Sequence, residues 1–115
     1  MKSLFCTLAL LSQPLLFPGY VSAESSPYEE FNTANMMAGE VRITWRVADD
    51  VQKECNRESH RRGWSGFRTP LQACAFWEKT ASGQVCTIVT KRKPNYWTLG
   101  HETRHCFQGE WHAWE

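Results

Sequence analysis

Three of the four histidines in this 115-residue chain lie close together near its C-terminus. His101 and His105 are four residues apart and enclose Glu102 in the pattern H-E-x-x-H. Four residues along a helix advance about 400° and about 6 Å, so imidazoles at this spacing lie one turn apart on one face. Both could bind one metal ion, with Glu102 beside a metal-bound water as the general base. The pattern therefore predicts a metal site with hydrolytic chemistry.

A third ligand should follow the helix, because a catalytic zinc ion usually has three protein ligands and one open position. We expect His112 to be this ligand, since a turn at Gly109 can fold it back under His105. Glu110 is the alternative, because a carboxylate also binds zinc.

In these residues the chain resembles the zincin metalloproteases. His101-Glu102-x-x-His105, followed by Gly109 and His112, is similar to the metzincin pattern H-E-x-x-H-x-x-G-x-x-H. Here one extra residue precedes the glycine, and no methionine-containing turn follows the last histidine. The resemblance covers residues 101–112 only. It implies Zn²⁺ bound by the three histidines, Glu102 as the catalytic base, and a peptide or protein substrate.

Two further functions remain compatible with the sequence. The first is a non-catalytic, disulfide-stabilised binding module in which zinc is structural or absent. The second is an inhibitor or interaction protein in which the H-E-x-x-H pattern is accidental. A chain this short has little material for a two-sided substrate cleft, so a partner protein could also be needed for activity.

The charge balance argues against one class of partner. Lys and Arg number 13 and Asp and Glu number 12, giving a formal charge of +1. A nucleic-acid-binding protein normally concentrates positive charge to neutralise phosphates. We therefore expect no nucleic-acid partner.

The N-terminus has the pattern of a secretory signal. Met1 and Lys2 precede an apolar run at residues 4–11, and Val21-Ser22-Ala23 places small residues at the −3 and −1 positions of a cleavage site. The sequence predicts a signal peptide over residues 1–23 with cleavage after Ala23. The apolar run is shorter than the ~20 residues that a membrane span needs. We expect a secreted or periplasmic product with no stable membrane anchor.

Cleavage would remove one of the five cysteines and leave Cys55, Cys74, Cys86 and Cys106. An even number of cysteines in a short exported chain predicts two disulfides. A zinc site built from all four thiolates is the alternative, although no C-x-x-C pair is present. The sequence leaves three pairings open. Of these we expect Cys74 with Cys86 across a hairpin and Cys55 with Cys106 between two helices.

Local patterns predict the elements that would position these residues. Residues 24–39 are polar and read as a linker or arm, followed by a domain over residues 40–115. Alternating apolar residues predict a half-buried strand over residues 41–47. Asp49 and Asp50 are good N-caps for a helix that ends near His60.

The second half of the domain should contain a hairpin and a final helix. Strand-like segments at residues 72–79 and 84–91 flank Ser82-Gly83, a typical hairpin turn. A helix is expected from Trp97 or Thr98 to Gly109. The resulting order is strand, helix, hairpin, helix, which predicts a small single α+β domain.

Two side-chain environments follow from these patterns. On a wheel of about 100° per residue, the apolar residues of the last helix gather opposite the two histidines, so that face should pack on the core. Strand alternation predicts that Trp45 and Trp77 pack in the core. Trp111 and Trp114, near the chain end, could line a substrate or partner groove.

Overall fold

The protein is described by a computed structural model that covers residues 29–114. The predicted signal peptide of residues 1–23, with its cleavage site at Ala23, lies outside the described residues. The elements are, in order, a 3-10 turn (Thr33–Asn35), β1 (Val41–Val47), α1 (Val51–Arg61), β2 (Ala73–Thr80), β3 (Gly83–Thr90), α2 (Tyr96–Gln108) and a second 3-10 turn (Trp111–Trp114). This is the predicted strand–helix–hairpin–helix order.

The helices begin where side chains satisfy their first backbone donors. Asp50 caps α1 by accepting a hydrogen bond from the backbone N–H of Lys53 at 3.0 Å. Asn95 caps α2 by accepting one from the N–H of Thr98 at 2.7 Å. Both helices therefore begin within one or two residues of the predicted positions.

The three strands form one mixed sheet in the order β1-β3-β2. β1 runs parallel to the central strand β3, with Val41 opposite Gln84. β2 runs antiparallel to β3, with Trp77 opposite Cys86. The predicted hairpin is thus present, and β1 and β2 form the two edges of the sheet.

One helix packs on each face of this sheet. On β2, Cys74 and Phe76 pack with Cys55 of α1. The alternate residues Ala75 and Trp77 pack instead against the cluster that contains Cys106 of α2. Because successive side chains of a strand point to opposite faces, α1 and α2 lie on opposite sides of the sheet. The fold is a small α+β domain, as predicted.

The two disulfides join Cys55 to Cys74 and Cys86 to Cys106, so the expected pairing is wrong. The register of the hairpin explains the difference. Cys74 lies opposite Val89, while Cys86 lies opposite Trp77, and the two half-cystines face opposite sides of the sheet. Each disulfide therefore links one helix to the face on which that helix packs.

Disulfides of this kind are typical of proteins that fold in an oxidising compartment outside the cytoplasm. Among the described residues, no helix is long enough and apolar enough to cross a membrane.

The apolar face of β1 is more exposed than the alternating pattern predicts. Ile43 is 37% exposed, and Trp45 and Val47 are each 51% exposed. The reason is the position of α2, whose core cluster is built mainly on β2 and β3 and includes only Val41 from β1. The Trp45 indole N–H instead donates a hydrogen bond to the hydroxyl of Thr90 at 2.9 Å.

On the other face, an ion-pair network ties β1 to α1. Arg46 contacts Glu54 at 2.5 Å and also pairs with Glu58. Glu58 is 2% exposed and pairs further with Arg61 and, at 2.6 Å, with Arg62. Burial alone would raise the pKa of Glu58, but hydrogen bonds from Arg62 and Arg46 and the charges of Arg46 and Arg61 outweigh it and hold the pKa below its usual value.

This network predicts a pH-dependent contribution to stability. A carboxyl whose pKa is lowered on folding stabilises the protein above its unfolded pKa, and the effect is lost as the pH falls through the folded value. Glu58→Gln should lower the free energy of unfolding by about 1–3 kcal/mol at pH 7, and the difference from the parent should shrink below about pH 4.5. Urea unfolding at several pH values measures this. The exposed Glu40→Gln is the control and should change little; a Glu58→Gln effect that is constant down to pH 3 would contradict the prediction.

The Cys86–Cys106 disulfide predicts a loss of stability when it is removed. Replacing Cys86 and Cys106 together by Ala should lower the free energy of unfolding by about 2–4 kcal/mol, because the crosslink closes a loop with a sequence separation of 20. Urea unfolding gives the loss, and mass analysis of unreduced proteolytic fragments gives the pairing. Fragments that link Cys74 to Cys86 would contradict the described fold.

Candidate metal centre

The chain reverses direction at Gly109, immediately after α2. Gly109 has φ +63° and ψ −131°, a conformation that residues with a side chain rarely adopt. Its N–H donates to the carbonyl of His105 at 2.8 Å, and its own carbonyl accepts from the N–H of Trp111 at 2.9 Å. This reversal leads into the 3-10 turn that carries His112 back to the histidines of α2.

His101, His105 and His112 converge at this reversal. Their ring centroids are 5.2 Å apart for His101 and His105, 4.8 Å for His101 and His112, and 4.6 Å for His105 and His112. One ligand nitrogen from each lies within 4.8 Å of the others, and the Nε2 atoms of His101 and His112 are 3.0 Å apart. A tetrahedral ion with metal–nitrogen bonds of about 2.0–2.1 Å separates its ligand atoms by about 3.3 Å. The three histidines are close enough to hold a metal ion.

The ring of His105 is oriented from both sides. Its Nδ1 lies 2.7 Å from the carbonyl oxygen of Gly109. Because a carbonyl can only accept, Nδ1 carries the proton and Nε2 keeps its lone pair. Metal-binding histidines commonly have this second hydrogen bond, which fixes the tautomer and the ring orientation. The Trp77 indole stacks on the ring with a centroid distance of 5.3 Å and an interplanar angle of 3°.

Two of the imidazoles are also favoured in their neutral form. Burial lowers the pKa of His105, against the raising effect of its hydrogen bond to Gly109. Burial and the charge of Arg104 lower the pKa of His112, against the raising effect of Glu110. A metal ion binds the neutral imidazole, so both shifts favour metal binding near pH 7.

Three tryptophans surround the histidines. Trp77 lies on His105, Trp97 lies 5.1 Å from His101, and Trp111 contacts all three rings at 4.2–5.6 Å. Trp111 is only 1% exposed and fills the space beside the rings, whereas the sequence suggested that it lines an open groove. The side chain of Trp114 lies outside the described side chains.

Sequence reasoning missed these tryptophan contacts. The position of Trp97 could have been found, because Trp97, His101 and His105 follow one another at intervals of four residues on the same helix face. The contacts of Trp77 and Trp111 depend on the tertiary fold.

Residues of the predicted arm form hydrogen bonds with the C-terminal end of α2, next to the histidines. Gln108 is fully buried and donates from its amide to the backbone carbonyl of Asn32 at 2.7 Å. Arg104 donates from Nε to the Gln108 side-chain oxygen at 2.8 Å and lies over the Trp111 ring at 4.0 Å. Met37 donates its N–H to the carbonyl at the end of α2. The arm therefore contacts the end of α2, and Arg104 connects Gln108 there to the Trp111 ring.

The two carboxylates near the histidines differ in environment. Glu102 is 7% exposed, and burial raises its pKa to about 7. By the helical period, it lies between His105 and Cys106 around the helix. Glu110 is exposed, with its Oε1 3.9 Å from Nδ1 of His112. Among the described residues, the group that could hold a metal contains His112 and not Glu110.

No protein family, curated protein sequence or solved structure matches this chain significantly. The chemistry of the centre is therefore inferred from its own residues. The geometry shows that three histidines lie close enough to hold a metal ion. Which metal they would bind is inferred below from the type of ligand atom.

The backbone conformation at Gly109 predicts the effect of adding a methyl group there, in the variant Gly109→Ala. A Cβ on Gly109 would lie 3.1 Å from Sδ of Met37 and 3.3 Å from Nε1 of Trp77, at a positive φ. Gly109→Ala should therefore destabilise the fold by about 1–3 kcal/mol and weaken metal binding by displacing His112. Thermal unfolding and metal titration measure the two effects.

Gly100→Ala is the matched control within α2. A Cβ there meets no atom within 4 Å, so this substitution should stabilise the helix by about 0.5–1 kcal/mol. Equal behaviour of the two variants would show that the backbone at Gly109 does not determine the position of His112.

Proposed function

We propose that this chain is an exported zinc-dependent hydrolase that cleaves peptide bonds. The observation that carries the proposal is the convergence of three imidazoles, one of them from beyond the helix, around a position that a single ion could occupy. His101, His105 and His112 would hold the ion, and Glu102 would act as the general base.

The donor set favours zinc. Calcium and magnesium prefer oxygen ligands, so an all-imidazole group is a poor site for either. Imidazole suits zinc, copper, iron and nickel, and three histidines with one remaining position are a known catalytic zinc arrangement. A bound zinc ion would supply Lewis acidity and lower the pKa of a coordinated water. The predicted signal peptide and the two disulfides support a secreted or periplasmic location.

The protein residues have separate tasks in this proposal. The Gly109 carbonyl holds His105 with Nε2 available for the ion. Glu102 lies on the flank of the same helix, where it would accept a proton from water and pass it to the leaving amine. Its burial raises the pKa of the carboxyl to about 7, near the pH at which it would take up and release a proton. The preference for a peptide or protein substrate rests on the resemblance to zincins.

A non-catalytic metal-binding module is the second candidate, and the position of Trp111 favours it. This indole is 1% exposed and contacts all three imidazoles, so it covers one side of the group that would hold the ion. In this case the metal would hold the C-terminal turn against α2. Metal removal would then lower the stability of the fold, and no hydrolysis would be detected.

The two candidates are distinguished by the metal content and activity of the parent and of two variants, Glu102→Gln and His105→Ala. The parent, purified without chelators, should contain about one zinc ion per chain and cleave members of a library of internally quenched peptides. Glu102→Gln should retain the zinc and lose about 10²-fold or more of the rate, since the base is not a ligand. His105→Ala should lose the zinc.

Glu110→Gln is the matched control, because it removes an exposed carboxylate near His112 while leaving α2 unchanged. It should keep both zinc and activity. Full activity in Glu102→Gln would exclude the proposed mechanism. A parent that binds zinc but cleaves no peptide would favour the binding module, and a parent without zinc would exclude both candidates.

A further inference from the structure

β1 is an edge strand whose outer side is open. Its inner side pairs with β3 from Val41 to Val47, and within residues 29–114 no backbone group pairs with its outer side. β2, at the opposite edge, begins with buried residues on both faces, among them Ala73, Cys74 and Phe76. An open edge presents a row of N–H and C=O groups that can pair with another strand. Within residues 29–114 the outer side of β2 has no backbone partner either, so the choice of β1 rests on its exposed side chains.

One face of β1 carries an apolar stripe, formed by Ile43, Trp45 and Val47. These residues alternate along the strand and are 37%, 51% and 51% exposed. Single exposed apolar residues are common, but three in a row along an open strand edge are typical of an interaction surface.

The opposite face of β1 is positively charged. Arg42 is exposed and makes no ion pair with any described residue. Arg46, on the same face, belongs to the network with α1, in which the carboxylates of Glu54 and Glu58 are outnumbered by guanidinium groups. The arginines of this network are Arg46, Arg57, Arg61 and Arg62. The face therefore retains a positive charge that its own carboxylates do not balance.

We propose that β1 binds an extended peptide segment as a fourth strand, and that this segment alternates apolar and acidic side chains. In a pleated sheet, alternate residues of the added strand would face the two sides of β1. Apolar side chains would cover the apolar stripe, and carboxylates would lie beside Arg42 and Arg46. Charge complementarity of this kind gives both orientation and selectivity.

A second copy of the chain fits this edge less well. Two β1 strands that pair antiparallel along their whole length are centred on Thr44. In this register, Arg42 of each copy would lie opposite Arg46 of the other. Like charges directly opposite each other destabilise a strand pair. An acidic strand removes this repulsion and replaces it with attraction.

This binding edge is separate from the candidate metal centre. His105 stacks on Trp77, which belongs to β2 at the other edge of the sheet. Peptide binding at β1 should therefore be the same with and without a chelator. The result of the experiment below is independent of the proposed hydrolytic function.

The probe is a fluorescein-labelled, end-capped heptapeptide in which valine and glutamate alternate, titrated with the full protein and followed by fluorescence anisotropy. A valine–lysine peptide of the same pattern tests charge, and a peptide with four valines followed by three glutamates tests alternation. The alternating acidic peptide should bind at least about tenfold more tightly than either control. Hydrogen exchange should show new protection of amides in Val41–Val47 and none in Ala73–Thr80.

Charge reversal at Arg42 provides the decisive variant. Arg42→Glu should weaken binding of the acidic peptide by about tenfold and strengthen binding of the lysine peptide. Arg68→Glu makes the same change of net charge in the exposed loop before β2 and should leave both affinities unchanged. Circular dichroism confirms that both variants remain folded.

Three outcomes would overturn the proposal. These are equal affinity for the acidic and lysine peptides, equal effects of Arg42→Glu and Arg68→Glu, and protection located outside β1. A concentration-dependent dimer that is disrupted by Val47→Lys, with no peptide binding, would assign the edge to a second copy of the chain instead.

Discussion

The covalent links between the helices and the sheet determine the arrangement of this domain. Among the described residues, four of the nine buried apolar ones are half-cystines, so the disulfides themselves form a large part of the core. A domain of this size has a limited apolar core, so crosslinks contribute a substantial part of its stability. Cys55–Cys74 holds α1 on one face of the sheet, and Cys86–Cys106 holds α2 on the other. With Cys106 fixed to the central strand, the helical period turns the histidine face of α2 away from that strand and toward Trp77 on β2.

Gly109 converts this helix position into a possible metal centre. Its N–H donates to the carbonyl of His105, and its carbonyl lies within hydrogen-bonding distance of both the His105 ring and the N–H of Trp111. The residue that ends the helix therefore also orients one imidazole and starts the turn that carries His112. Because a side chain at this φ would be strained and would approach Met37 and Trp77, glycine is the residue that this geometry needs.

Much of the secondary structure could be predicted because its signals are local. Asp50 lies at the start of α1, Gly83 at the hairpin turn and Gly109 at the end of α2, and each acts through the backbone of its immediate neighbours. The half-buried character of β1 was predicted wrongly. Alternation identifies the two faces of a strand, but the lateral position of α2 decides whether the apolar face is covered. That position depends on packing between elements that are distant in sequence.

The disulfide pairing shows the same limit. The order of the cysteines along the chain allows three pairings, and only the register of β2 against β3 excludes the expected one, by turning Cys74 and Cys86 to opposite faces. The sequence by itself determined the order of elements, the caps, and the one-turn spacing of His101 and His105, because helix geometry and capping act over a few residues. The tertiary structure decided the disulfide partners, the enclosure of the histidines by tryptophans, and the exposed edge of β1. These features require contacts between residues far apart in the chain, and strand register and helix placement bring those residues together.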